Sequence, residues 1–253
     1  MRGFHQLALL FSLLFQSGAE AGTLYSTDFS SSLSPFSSCN LKSPSSVTIS
    51  DSTLEIYFSE ADFDGTRNDK GAEICFFQSG TSTNVPQMQK EGWQGFSLYV
   101  PSADFPTDKS TIIAQQFCPG GCSSWCAAVQ IQDNSLAVEH RSACGDATEE
   151  TVVADIARDT WHDVVVHMRV SQEENGVYEV WWNGEKVYGV DGIDVGFGSW
   201  DGDVLETGWY FKNGQYAYDT ESYTDESRTL FFDNVAWYEP DAGEDDGYDT
   251  VAP

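Results

Sequence analysis

The 253-residue chain carries 40 acidic against 12 basic residues, a formal net charge of −28. That balance excludes a nucleic-acid partner, because phosphate binding needs a basic footprint. Aromatic residues at 14% exclude a largely disordered chain, and the length fits one domain or one sandwich of the larger kind.

In chain order, Arg2, the apolar run Leu7–Phe15 and the small-x-small site Ala19-Glu20-Ala21 read as a secretory signal peptide over residues 1–21. The mature chain then begins at Gly22 and is expected to be secreted, with no membrane partner. Strand patterns follow at Thr23–Phe29, Thr53–Ser59, Gly95–Val100 and Thr111–Phe117. Ala127–Gln132 and Ser135–His140 are joined by the turn signal Asp133-Asn134. Trp161–Val170 comes next, then a loop with Asn175-Gly176. Val177–Trp182 and Glu185–Tyr188 flank Asn183-Gly184, the strongest short-range hairpin signal. Thr207–Phe211 and Thr229–Glu239 close the series. Many short strands divided by turns imply an all-β sandwich or barrel over residues 22–240. The acidic tail, residues 241–253, is expected to be disordered.

Six cysteines in an exported chain read as three disulfides. Pairing does not follow from spacing. Cys118, Cys122 and Cys126 invite a metal reading, but no matching histidines follow, so the cluster is expected to staple a loop to neighbours such as Cys144.

Parity places Ile113, Gln115 and Phe117 on one face of their strand, with Ile112, Ala114 and Gln116 on the other. On Val164–Val170, His167 and Arg169 share the face opposite Val164, Val166 and Met168, which is either solvent or a cleft floor. Tyr210–Tyr216 (YFKNGQY) sets Lys212 and Tyr216 four apart across a glycine bend. If both face a cleft, the ammonium favours phenolate, and the tyrosine can exchange protons with a substrate. An ordinary hairpin with a surface lysine is the alternative.

YFKNGQY resembles the YFKxGxY signature of jelly-roll polysaccharide lyases, which include alginate lyases, heparin lyase I-like enzymes and the fungal glucuronan lyases. Ile112–Gln115 resembles the strand that presents a catalytic glutamine in that group. Arg67 and Glu73 resemble its Arg-x-Glu strand, Trp161–Tyr188 its later hairpins, and Phe232–Val235 its closing strand. The resemblance implies a β-jelly-roll sandwich of two antiparallel sheets. It also implies a monomeric secreted enzyme that cleaves an acidic polysaccharide by β-elimination, without an organic cofactor. Gln115 would bind the uronate carboxylate, Arg67 or Lys212 would add positive charge, and Tyr216 would move the proton. Relatives follow the glutamine by Gln-x-His, whereas Phe117 stands here. His140 is the substitute base to consider, and His167 a second. Arg141, Tyr218, Arg169 and His167 are substrate-binding candidates. Asp28 and Asp233 would hold a structural Ca2+ between the ends of the fold.

Without a separate base, syn elimination is favoured, which suits β-1,4-glucuronan first and mannuronate-rich alginate second. A carbohydrate-binding jelly roll is the main rival. A retaining hydrolase needs paired carboxylates, and Glu60-Ala61-Asp62-Phe63-Asp64 lacks the final glutamate. A serine hydrolase would need a Gly-x-Ser-x-Gly elbow, which is absent.

Overall fold

The computed structural model describes residues 22–41, 44–60, 71–75, 88–145, 147–218, 227–241 and 247–253. The expected signal peptide, residues 1–21, and Arg67 lie outside the described residues.

Period-two alternation builds the strands. In Thr53–Ser59, Leu54, Ile56 and Phe58 are buried, and the residues between them are half-buried. Among the described residues the strands form two large antiparallel sheets, as expected. Sheet A contains β1 (Thr23–Thr27), β3 (Ser46–Ser50), β4 (Thr53–Ser59), β6 (Glu91–Tyr99), β11 (Trp161–Arg169), β12 (Ser171–Trp182), β13 (Glu185–Val195) and β17 (Ser227–Glu239). Their order is β13-β12-β11-β6-β17-β4-β3, and β1 also pairs with β17. Sheet B contains β2 (Ser37–Cys39), β5 (Gly71–Cys75), β7 (Thr111–Cys118), β8 (Ser124–Gln132), β9 (Ser135–His140), β10 (Thr148–Val153) and β16 (Tyr210–Tyr216). Its order is β10-β9-β8-β7-β16-β5-β2, so β7 and β16 lie at its centre, while β14 (Trp200–Asp201) and β15 (Val204–Leu205) form a separate two-stranded ribbon.

The two expected tight turns form with both central residues left-handed: Asp133 and Asn134 at φ 47° and 62°, Asn183 and Gly184 at φ 52° and 82°. Asn175-Gly176 differs. It lies inside β12, where the pairing with β13 shifts register. A Cβ at Gly176 would sit 2.6 Å from the Ile193 carbonyl oxygen, so this glycine permits a close strand approach rather than a loop.

The core between the sheets is apolar, with Leu54, Phe96, Ile113, Val166, Phe211 and Phe232 fully buried. A polar chain crosses it. Tyr178 Oη donates to Gln116 Oε1 (3.2 Å), and Gln116 Nε2 donates to Gln94 Oε1 (3.1 Å). Gln94 Nε2 then donates to Asn213 Oδ1 (2.7 Å), which also accepts from Trp237 Nε1 (3.2 Å). Buried polar groups demand such partners, and these bonds tie β7 and β16 of sheet B to sheet A.

The three disulfides pair Cys39 with Cys75, Cys118 with Cys126, and Cys122 with Cys144. The second and third staple the β7–β8 turn, as expected. The tail departs from expectation. Gly247–Pro253 is ordered, and α1 (Tyr248–Val251) lies on the outer face of sheet A. There Val251 joins Trp93, Val165, Ala236 and Tyr238 in a small apolar cluster. Acidic composition misled because this segment gains its order from Val251 and Tyr248, which cover Trp93 and Trp181. Among the described residues no helix is long and apolar enough to cross a membrane.

Candidate active site

β16 positions most of the site. It is a continuous central strand rather than a bend: Tyr210 to Lys212 pair with Phe117 to Gln115 of β7, and Lys212 to Tyr216 pair with Cys75 to Gly71 of β5. Phe211, Asn213 and Gln215 point into the core. Tyr210, Lys212 and Tyr216 therefore share the outer face of sheet B, where they line a cavity of about 270 Å³ with Gln115, Phe117 and Asn40. Pro119 and Ser123, held in the disulfide-closed turn, form another wall.

Gly214 lets the strands approach. Its φ is 145°, and a Cβ there would lie 2.4 Å from the Ala72 carbonyl oxygen and 2.6 Å from Glu73 Cα. The neighbouring strand thus brings Glu73 (1% exposed) under the cavity floor. Gln115 Nε2 donates to Glu73 Oε1 at 2.5 Å, and Asn40 Nδ2 donates to Glu73 Oε2 at 2.6 Å. Lys212 Nζ lies 3.8 Å from the same carboxylate and 4.0 Å from the centroid of the Phe117 ring. The carboxylate orients two amide groups, each with a second N–H to spare, and the ammonium balances its charge. Such a floor suits an incoming carboxylate.

Lys212 and Tyr216 stand about 13 Å apart along an extended strand. The ammonium reaches towards Phe117, so its contribution is charge at the carboxylate end of the cavity. Tyr216 is 5% exposed, with its ring against Ile112 and Trp125.

Gln115 and Phe117 face the cavity as parity predicts, and Gln116 faces the core. A register shift between Ile112 and Ala114 breaks the pattern nearer the strand start. Ile112 joins Tyr216 on the cavity face, while Ile113 and Ala114 enter the core. This corrects the face expected for Ile112 and Ile113, while Ala114 lies with Gln116 on the core side as expected.

The histidines are elsewhere. His140 shares its parity with Leu136 and Val138, faces the core and bonds the Tyr188 hydroxyl at 2.9 Å. Burial lowers its pKa. That placement overturns its candidacy as substitute base. His167 and Arg169 lie on the outer face of sheet A. His167 stacks on Trp93 (3.9 Å) between Glu91 and Glu179, and Arg169 donates to the Asn175 carbonyl oxygen. Neither is in the cavity, because the face opposite the core is, on this sheet, the face away from the site. His162 stacks on Trp182. No described histidine lines the cavity.

Arg141 and Tyr218 flank the site. The Arg141 guanidinium lies 5.0 Å from the Trp125 ring, and Tyr218 meets the same ring at 6.3 Å. Sequence reasoning missed Asn40, whose only signal was its position beside Cys39. It named Glu73 without the role of clamping Gln115.

Asp28 and Asp233 are near neighbours. Burial raises the Asp233 pKa, opposed by the Asn234 N–H, and the Asp28 charge adds to the rise. Among the described residues no group of three or more His, Cys, Asp or Glu gathers as metal ligands. Calcium takes six to eight oxygens, so backbone carbonyls would have to complete a site there.

A family model described as polysaccharide lyase matches residues 44–236. No curated protein matches. Among solved structures, an endo-β-1,4-glucuronan lyase from the fungus Trichoderma reesei superposes with a TM-score of 0.66 at 17% identity, covering 92% of this chain and 99% of that one. A family 7 alginate lyase in complex with substrate (GGMG) gives 0.57 at 14% identity, covering 81% and 85%. An alginate lyase from Pseudomonas aeruginosa gives 0.54 at 15%, covering 78% and 86%. These similarities establish the jelly-roll fold. With the family match across most of its length, the chain belongs to the polysaccharide lyases.

Proposed function

We propose that this chain is a secreted, monomeric, endo-acting lyase that cuts β-1,4-linked glucuronan by syn elimination and leaves a 4,5-unsaturated uronate. One observation carries the reading. The cavity gathers Tyr216, Lys212, Gln115 and Asn40 around a uronate-sized space, and no described histidine lines it. Taking the C5 proton requires the charge on the adjacent carboxylate to be offset. Gln115 and Asn40 would donate their remaining N–H groups to that carboxylate, and Lys212 would supply positive charge to the enolate-like intermediate. Tyr216, as phenolate, would take the C5 proton. As the C4–O4 bond breaks and the C4–C5 double bond forms, the same proton passes to O4 and the phenolate is restored.

In β-1,4-linked glucuronate or mannuronate, H5 and O4 lie on one side, so one residue serves as base and acid. Guluronate needs groups on opposite faces. A second polar cavity of about 310 Å³ sets Lys109 and Arg228 against Glu60, Asp108 and Asp133, so endo action is supported instead by the likeness to the endo-β-1,4-glucuronan lyase. The three disulfides support an oxidising compartment.

The test is absorbance near 235 nm during incubation with glucuronan and with mannuronate- and guluronate-rich alginates. Glucuronan should give the fastest rise and guluronate blocks the slowest. Guluronate turnover matching that of glucuronan would sink the syn argument, and a flat trace on all three would favour a binding module. Calcium at Asp28 and Asp233 belongs to the same reading as a purely structural ion. If so, calcium should raise Tm in the parent protein and leave Asp233→Asn unmoved.

A further inference from the structure

The outer face of sheet B continues beyond the catalytic cavity. Register places Lys212, Gln115, Ala128, Glu139 and Glu149 in one transverse row across β16, β7, β8, β9 and β10. Directly paired residues share a face, so Glu139 stands on the face of Gln115, two strands and about 10 Å away. Ala128 between them is fully buried and packs with Ile112 and Tyr216. On the next row Gln130 pairs with Ile112, on the face of Tyr216.

This floor is buried and short of partners. Gln130 is fully buried and Glu139 is 8% exposed. Both amide atoms of Gln130, Glu139 Oε1 and Trp125 Nε1 have no hydrogen-bond partner among the described residues. Unpaired buried polar atoms are costly, and these cluster beside the cut site. Arg141, whose guanidinium donates to the Trp125 carbonyl oxygen and Ser124 Oγ, adds positive charge.

We propose that Glu139, Gln130 and Trp125 form a second uronate subsite, in which a protonated Glu139 donates a hydrogen bond to the carboxylate of a sugar next to the one being cut. The donors available are the Glu139 O–H, the Gln130 N–H groups and the Trp125 indole N–H, with Arg141 behind them. That set matches an anion, and it fails when Glu139 ionises. Burial pushes the Glu139 carboxyl up to about 7; Arg141 pulls it down and Glu149 adds to the rise. The other titratable groups around it are Glu150 on β10, His140 beside it, and Tyr178 and Tyr188 behind the sheet, with Lys212 three strands away. Below about pH 7 the subsite attracts a uronate, and above it the two carboxylates repel. A chain of net charge −28 thereby gains a local acceptor for a polyanion.

The inference rests on the uronate-lyase reading, and two readouts separate their failures. The first is KM and kcat on glucuronan, by absorbance, from pH 5.5 to 8.5, for the parent and Glu139→Gln. The second is calorimetric binding of a glucuronate hexamer to Tyr216→Phe, with and without Glu139→Gln. The parent KM should rise about tenfold or more through pH 7, as charge-assisted bonding gives way to repulsion, and Glu139→Gln should remove most of that rise. Cleavage with a pH-flat KM, or an unchanged rise in Glu139→Gln, overturns the subsite and leaves the lyase standing. Hexamer binding that weakens with pH only while Glu139 is present, without any signal near 235 nm, keeps the subsite and overturns the lyase. No hexamer binding at pH 5.5 overturns the subsite, and a flat absorbance trace from the parent as well overturns both.

Discussion

Tyr216→Phe should cut glucuronan at least about 10³-fold more slowly than the parent, within the usual range for losing a positioned acid–base group. The change deletes one oxygen. The ring keeps its contacts with Ile112 and Trp125, and the strand pairings of β16 do not involve the hydroxyl. Because the buried ring keeps its packing, the loss should not exceed that of one hydrogen bond, about 1 kcal/mol, or roughly 2–4 °C in Tm for a chain of this size. Substrate binding should also persist, since Gln115, Asn40 and Lys212 remain in place. The expected signature is a collapse in kcat with little change in KM, the pattern of an interaction made in the transition state. Retained activity would mean that another group moves the proton, and the single-residue syn mechanism would be lost.

Gly214→Ala should have the largest effect on stability. The new methyl would meet two backbone atoms, at 2.4 and 2.6 Å, at a φ of 145° that side chains rarely adopt. Neither can swing away as a flexible side chain would. Recession of β5 is opposed on its far side, where Cys75 is bonded to Cys39. Overpacking and backbone strain together should cost about 3 kcal/mol or more, lowering Tm by roughly 6–12 °C for a chain of this size. Because Glu73 carries the clamp on Gln115, the surviving folded protein should also be slow. Gly145→Ala is the control: nothing lies within 4 Å of a Cβ there, so stability should hardly move. Equal Tm values for the two variants would refute the steric account.

The strands and the central motif were legible because alternation and turn chemistry are local. Leu54, Ile56 and Phe58 announce a half-buried strand, and Asn183-Gly184 announces its turn, without reference to the rest of the chain. Gln115, Lys212 and Tyr216 emerged because strand parity and one recognisable motif sufficed. Glu73 and Asn40 could not be assigned roles, because their meeting with Gln115 depends on the β2–β5–β16–β7 pairing. His140 was misjudged although its own strand held the answer: Leu136 and Val138 share its parity and are core residues. His167 and Arg169 were rightly placed opposite the core, but alternation cannot say which of two sheets carries the site.

The polar chain from Tyr178 through Gln116 and Gln94 to Asn213 has a consequence for how this protein meets its polymer. It holds the strands that present Gln115 and Lys212 from behind, by bonds that water does not reach. The backbone amides of β7 and β16 should then be among the last to exchange with deuterium, opening only with the whole domain. A floor so fixed cannot mould itself to a sugar chain. The glycan must supply the bend and bear its conformational cost, so chain stiffness becomes a property that this cleft can discriminate.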